Sequence, residues 1–383
     1  MRKITFILLL ALSFGLTSCD WFHREELPTD VVLVYFAANN NLHYQVSADL
    51  EEIKKGWLPA TGADSQIYLV YEDCGGDPAL KRLSRDEKGK TVEEIVISYP
   101  QGTDSSTKET LAQVLADAEK AYPADTRGLV LWSHGSGFLP SGYYSSPTDP
   151  VIEDRFLMKS FGYDKITRNE IEIQDVRAAL EKYHFRFLAL DACLMGSIEV
   201  AYELRNVCDY ILASPTESLD EGFPYEEMND KFFDSANTET AIVECARIFY
   251  DYYFEKSSSG TIAVYKTSEI GGLTLVSKEL FAKYNSEFLR MDRTKVQPFY
   301  RDGRAFFYDF GSTMEQLTSD QEYRQFMNAL NNFVIYKAAT ANFLEIKIKS
   351  YSGIATYIPR AEYVNLNAYY RTLAWNSATG LVR

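Results

Sequence analysis

The sequence predicts an α/β protein: a mostly parallel sheet flanked by helices, with an additional α/β part toward the C-terminus. Three observations carry this. Apolar runs at residues 30–38, 66–72, 128–133, 186–192 and 210–213 are short and largely continuous, as strands covered on both faces require. Stretches with helical spacing alternate with them, at 46–57, 107–121, 171–183 and 198–206, the order that builds parallel crossovers. The chain is 383 residues long, 46% hydrophobic and 14% aromatic, enough for a large core and too much for one small domain.

Each element has its own warrant. Residues 30–38 (DVVLVYFAA) are a Val-rich central strand, ended by the turn Asn39-Asn40-Asn41-Leu42. Residues 66–72 (QIYLVYE) form the second strand, with a loop at 73–77. Residues 79–84 and 92–99 alternate like a pair of exposed strands, joined by the turn Asp86-Glu87-Lys88-Gly89. The helix 107–121 has Ser106 or Thr107 as its cap. After the strand 128–133 comes a long irregular stretch, 135–169; loops of that length in compact domains usually serve function. A polar, turn-rich loop, 214–225, follows the strand 210–213. Beyond it the pattern predicts a helix at 238–254, a strand at 261–265, a long helix at 270–291, a helix at 321–339, a strand at 351–358 and a helix at 361–374.

The chemistry concentrates in two stretches. Residues 187–196 (FLALDACLMG) read as a buried strand ending near Cys193, with a helix-forming run behind it. Residues 128–137 (GLVLWSHGSG) read as a buried strand ending near His134, followed by glycines. Parallel open sheets bind ligands at the carboxyl ends of their strands, and neighbouring strands lie about 4.8 Å apart. The two stretches together predict a Cys193/His134 catalytic pair, the imidazole taking the thiol proton and a helix N-terminus favouring the thiolate. The backbone N–H groups of Gly135 and Cys193 are the oxyanion donors this reading needs. Asp191 lies two residues before Cys193; on a strand the two side chains share a face, so Asp191 is expected to hold a cationic substrate side chain. GxSxG is absent, so Ser136 is no nucleophile.

The stretches LVLWSHGSG and FLALDACLMGSIEVAYEL resemble the clostripain family of cysteine peptidases, which share a caspase-like α/β fold. TDVVLVYFAANNNL, the run Phe161-Gly162-Tyr163-Asp164 with EIQDVRAAL, and YSGIATYIP extend the resemblance over most of the chain. The resemblance implies a His134/Cys193 dyad and cleavage after Arg or Lys through Asp191. It also implies that the loop after the fifth strand lines the pocket, where Glu217 and Asp220 are the acidic candidates. Some members cut themselves between the His and Cys strands. Arg155, Lys159, Lys165 and Arg168 lie in that interval, and Arg155 or Lys159 is the favoured site. The family includes calcium-dependent members; no compact acidic loop marks a site here, and no cofactor or metal is assigned. A second reading keeps the fold but only binds peptides at a surface; the presence of both His134 and Cys193 argues against it. A third uses the same dyad to transfer an acyl group to another amine.

Composition limits the partners. Net charge is −15, and loss of the N-terminal Arg2 and Lys3 makes it more negative, which excludes a phosphate-binding nucleic-acid partner. Arg2-Lys3, the apolar run 4–16 and Leu16-Thr17-Ser18-Cys19 resemble a bacterial lipoprotein signal. The expectation is a signal peptide at 1–18, lipidated Cys19 opening a tether at 19–29, a peptidase domain at 30–255 and a C-terminal part at 256–383 packed on it. The protein is then extracytoplasmic and anchored to a bacterial membrane. Cys74, Cys193, Cys208 and Cys245 are too widely spaced for a disulfide framework, and four histidines are too few for a histidine-rich metal site.

Overall fold

The alternation in the first strand divides the core. Val31, Leu33, Tyr35 and Ala37 of β1 (Asp30–Ala37) face one apolar layer, and Val32, Val34 and Phe36 face another. A strand buried on both faces has no polar side, which is why its sequence reads as continuous. The computed structural model describes residues 30–143, 149, 161–300 and 306–383.

The sheet contains β1, β2 (Gln66–Asp73), β3 (Ala79–Arg85), β4 (Thr91–Ser98), β5 (Thr126–Trp132), β6 (Phe185–Asp191), β7 (Cys208–Ala213), β8 (Thr261–Lys266) and, after the short β9 (Tyr308–Asp309), β10 (Val334–Ala339). Its order is β10-β8-β7-β6-β5-β1-β2-β3-β4. The five central strands β2, β1, β5, β6 and β7 run parallel, and antiparallel strands close both edges. This is the mostly parallel α/β architecture expected from the sequence. Strand order reverses between β1 and β5, so a crevice opens at their carboxyl ends.

Helices cover both faces. Helices α1 (His43–Lys55), α5 (Tyr225–Met228) and α6 (Thr238–Lys256) pack on the layer of Val32 and Phe36. On the opposite layer lie α2 (Lys108–Ala121), α3 (Ile173–Leu180), α4 (Ile198–Leu204) and α7 (Ile270–Lys283). The later helices α8 (Asn285–Arg290), α9 (Phe310–Glu315), α10 (Asp320–Phe333), α11 (Val364–Tyr370) and α12 (Ala374–Thr379) pack on that same side. Thr107 caps α2, its side chain accepting from the Thr110 N–H.

The C-terminal third departs from expectation. β8 pairs with β7 and β10 with β8, so two strands from residues 256–383 extend the sheet of the first part. The helix expected at 321–339 ends at Phe333, and Val334–Ala339 is an edge strand. Its β-branched and aromatic start favours a strand wherever an open edge can pair with it, and β8 supplies that edge. The helix expected at 270–291 breaks at Tyr284, whose φ of −107° is not helical. Of the strand expected at 351–358 only Ala355–Thr356 pairs, with β9; Gly353 at φ +89° turns the chain just before it. The last expected helix, 361–374, is the shorter α11, and α12 follows where no helix was expected. Among the described residues no helix is long and apolar enough to cross a membrane. Cys19, the signal and the tether lie outside the described residues.

Candidate active site

Register brings the two strand ends together. Trp132 of β5 stands opposite Asp191 of β6, so Ser133-His134 and Ala192-Cys193 leave the sheet side by side at one rim. The Ser133 N–H donates to the Asp191 carbonyl at 3.4 Å, and the Ser133 hydroxyl donates to the Ala37 carbonyl of β1 at 2.6 Å. Gly135 is needed at the crossing. A Cβ there would lie 2.4 Å from the Cys193 carbonyl oxygen and 3.1 Å from the Cys193 nitrogen. Only glycine lets the chain after His134 lie against the Cys193 backbone. Gly135→Ala is therefore expected to push the two rims apart and lower kcat about a hundredfold, since a displacement near 1 Å costs that much. Thermal unfolding run beside the kinetics separates this from collapse of the fold.

Past β6 the chain is held in a strained turn. Leu194 has φ +61°, a left-handed conformation costly for a non-glycine residue and kept only where neighbours impose it. They do: the Leu194 N–H donates to the Thr216 carbonyl at 2.8 Å, and the Gly196 N–H to the Ser214 carbonyl at 2.7 Å. The loop after β7 is thus sewn to the loop that carries Cys193. It also holds the sulfur: Sγ accepts from the Ser218 N–H at 3.2 Å and donates to the Ser218 carbonyl at 3.6 Å. The helix N-terminus expected to favour the thiolate does not supply this contact. In the first turn of α4 the Val200 N–H is taken by the capping hydroxyl of Ser197. Burial pushes the Cys193 thiol up to about 12, the Ser218 N–H opposing, with Glu217, Asp220 and Asp191 adding to the rise. The thiol at rest is protonated.

His134, Cys193, Asp191, Trp132, Asp220 and Gly222 line one cavity of about 50 Å³. A water takes about 30 Å³ of liquid, so this space holds no amino-acid side chain as it stands. A cleft of about 800 Å³ lies in the C-terminal third, around Gln297, Glu315 and Lys347; it contains neither the thiol nor the imidazole. The His134 Nε2 lies 2.9 Å from Asn41 Oδ1.

Asp191 does not share a face with Cys193 as expected. β6 ends at Asp191, and the Asp191 neighbours Ala189 and Phe187 belong to the layer of α1 and α6, whereas Cys193 packs against the opposite layer. The two meet at the rim of the cavity because the chain turns between them. Asp191 is buried, and its Oδ2 accepts from the Phe223 N–H and the Tyr225 hydroxyl, each at 2.9 Å. Burial raises its carboxyl to about 7 against these two donors, with Glu52 adding to the rise. Gly222, at φ +62°, closes over it; a Cβ there would be 2.9 Å from Asp191 Oδ2. Asp220 lines the cavity, whereas Glu217 is not among its walls, a distinction the sequence left open. Arg155 and Lys159 lie outside the described residues. Lys165 and Arg168 sit in an ordered turn, the Lys165 N–H donating to the Asn39 carbonyl at 2.9 Å and the Arg168 N–H to the Asp164 carbonyl at 2.9 Å.

Several residues of the site escaped the sequence reading. Asn41 follows β1, whose end flanks the strand reversal, so the switch-point rule could have pointed to it. Asp49 is a buried carboxyl on the apolar face of α1, between Val46, Leu50 and Ile53. Its carboxyl is pushed up to about 9 by burial, then by Asp191 and Glu52, against the Trp132 indole N–H. A titratable residue at a core position of a helix is a signal of its own. Ser218 and Tyr225 carried none, because only the loop's path brings them in. Among the described residues no group of three or more His, Cys, Asp or Glu could hold a metal ion. Cys74, Cys193, Cys208 and Cys245 are free.

A parallel α/β sheet that brings a cysteine and a histidine to adjacent strand ends is the architecture of a cysteine peptidase. The chain belongs to the clostripain family, whose model matches residues 34–379. It is similar to an inactive zymogen protease from Parabacteroides distasonis, with 32% identity and a TM-score of 0.79 over 92% of this chain and 98% of that one. It is also similar to a secreted cysteine protease from Bacteroides thetaiotaomicron, solved with an irreversible peptide inhibitor, with 28% identity and a TM-score of 0.77 over 92% of this chain and 98% of that one. Clostripain of Hathewaya histolytica is 26% identical over 221 residues, 52% of this chain and 41% of that protein. The chain thus spans less than half the length of that curated relative.

Proposed function

We propose that the chain is a lipid-anchored, extracytoplasmic cysteine endopeptidase that cleaves peptides and proteins after Arg or Lys, with Cys193 as nucleophile and His134 as general acid and base. The observation that carries the reading is the shared cavity of the thiol, the imidazole, Asp191 and Asp220.

The step sequence follows from these groups. His134 takes the proton from Sγ as the sulfur attacks the substrate carbonyl carbon. The carbonyl oxygen gains the charge, and the N–H groups of Gly135 and Cys193 receive it. The C–N bond breaks as His134 gives its proton to the leaving amine. Water, activated by the same imidazole, then releases the acyl group and regenerates the thiol. Asp191 and Asp220 hold the basic side chain. Both also oppose ionisation of Cys193, so a cation bound between them removes part of that repulsion when the nucleophile is needed.

A cavity of about 50 Å³ cannot admit an arginine side chain, so the loop at 217–222 must withdraw first. Self-cleavage at Arg155 or Lys159, within the 135–169 loop, is the proposed trigger, and the lipid on Cys19 is the proposed anchor. Purified wild type should then run as two fragments on a denaturing gel, and Cys193→Ala as one. An uncut and fully active enzyme contradicts the trigger. The function itself is tested by profiling peptides that vary at the residue before the cut. Cleavage after Arg or Lys, absent from Cys193→Ala, is expected; hydrolysis after other residues overturns the assigned specificity.

A further inference from the structure

We propose that Asn41 is the positioning residue for the His134 imidazole, and that the segment 163–165, just beyond the 135–169 loop's expected cutting sites, sets Asn41 in turn. The inference rests on reading His134 as the base.

The contact is direct: Asn41 Oδ1 lies 2.9 Å from His134 Nε2. An amide oxygen only accepts, so Nε2 carries the proton and Nδ1 is the basic nitrogen. The thiol proton then passes from Sγ to Nδ1, and later from Nδ1 to the leaving amine. The Nε2–H stays on Asn41 throughout, so the imidazolium forms with one N–H already satisfied and the ring cannot swing.

Asn41 itself is exposed, but the turn that carries it is fastened below. Asn40 is fully buried; its Nδ2 donates to the Tyr163 carbonyl at 2.9 Å and to the Ala37 carbonyl at 3.3 Å, and its Oδ1 accepts the Leu42 N–H at 2.8 Å. Asn39 Nδ2 donates to Asp164 Oδ2 at 2.7 Å, and the Lys165 N–H returns a bond to the Asn39 carbonyl at 2.9 Å. Asp164 is fixed by its own turn, its Oδ1 accepting the N–H groups of Ile166 and Thr167 at 2.7 and 2.8 Å. That turn is tied to Asp104, whose Oδ2 accepts from the Thr167 hydroxyl at 2.6 Å and from Asn169 Nδ2 at 2.7 Å. Tyr163 and Asp164 thus reach His134 through three successive asparagines. Asparagines that merely end a strand need no such chain of bonds.

The test uses the full chain labelled with 15N-histidine. Only four histidines are present, and His134→Gln assigns the signal. At a pH where the ring is neutral, His134 is expected as the Nε2–H tautomer, and Asn41→Ala should mix the tautomers. On an arginyl peptide Asn41→Ala should lower kcat about tenfold to a hundredfold with KM unchanged. Asn41→Asp, which keeps the acceptor, should restore most of the loss, and Asp164→Ala should lower kcat in the same direction by less. An Nδ1–H tautomer in the wild type, or one that Asn41→Ala leaves unchanged, overturns the proposal, as does a change in KM alone. The tautomer is read whether or not any peptide is cut, so failure of the peptidase reading shows separately, as absent hydrolysis with the tautomer intact.

Discussion

Cys193→Ala is expected to lower kcat by roughly four orders of magnitude or more, the scale on which removal of a nucleophile acts. The fold should survive, because among the described residues the sulfur is hydrogen-bonded only to the backbone of Ser218, in a loop. His134→Ala should cost nearly as much. The two groups act as one unit, so the double variant should be no worse than Cys193→Ala alone. Additive losses would mean that the cysteine and the histidine serve separate steps. Single-turnover rates on one arginyl peptide, with thermal unfolding measured in parallel, decide this.

Asp191→Asn should lower kcat/KM for arginyl and lysyl peptides about tenfold to a hundredfold, the worth of one desolvated charge-assisted contact of ~1.5–3 kcal/mol. The amide oxygen can still accept from the Phe223 N–H and the Tyr225 hydroxyl, so the pocket keeps its shape. Stability should move the other way. The folded carboxyl titrates near 7 against an ordinary value of 3.8, so the native state holds a proton that the unfolded chain has already lost. Stability then falls as pH rises from about 4 to about 7, and Asp191→Asn removes that fall. The variant should melt at the same temperature as wild type near pH 4 and at a higher one near pH 8. Asp49, raised by the same burial, contributes a slope of its own and makes Asp49→Asn a useful control. An unchanged preference for basic peptides would refute Asp191 as the cation's partner; a lower melting temperature at pH 8 would show that the ionised carboxylate stabilises the fold.

Much of this is legible in the sequence. Doubly buried strands announce themselves, and β1, β2, β5, β6 and β7 all lie within a few residues of where the apolar runs place them. The Cys/His pair was legible because both residues sit just past such runs, and Gly135 marks the close approach that the geometry demands. What stayed hidden depends on tertiary structure. Val334–Ala339 continues the apolar pattern of the helix before it with no Gly or Pro between, and only the open edge of β8 makes it a strand. Ser218 holds the sulfur from 25 residues away, and Tyr225 holds Asp191 from 34 away; no local pattern encodes either distance. Asp191 and Cys193 part to opposite layers for a related reason. Alternation along a strand holds only while the strand lasts, and the turn through Leu194 begins before Cys193 can share it.

The most direct measurement is mass spectrometry of the intact protein after incubation with a peptide electrophile that carries arginine at its reactive end. Wild type under reducing conditions should take up one equivalent, mapped to Cys193, and His134→Ala should react far more slowly. No modification of Cys193, or equal rates in the two proteins, would contradict a thiol activated by that imidazole and leave a surface that binds peptides without cutting them.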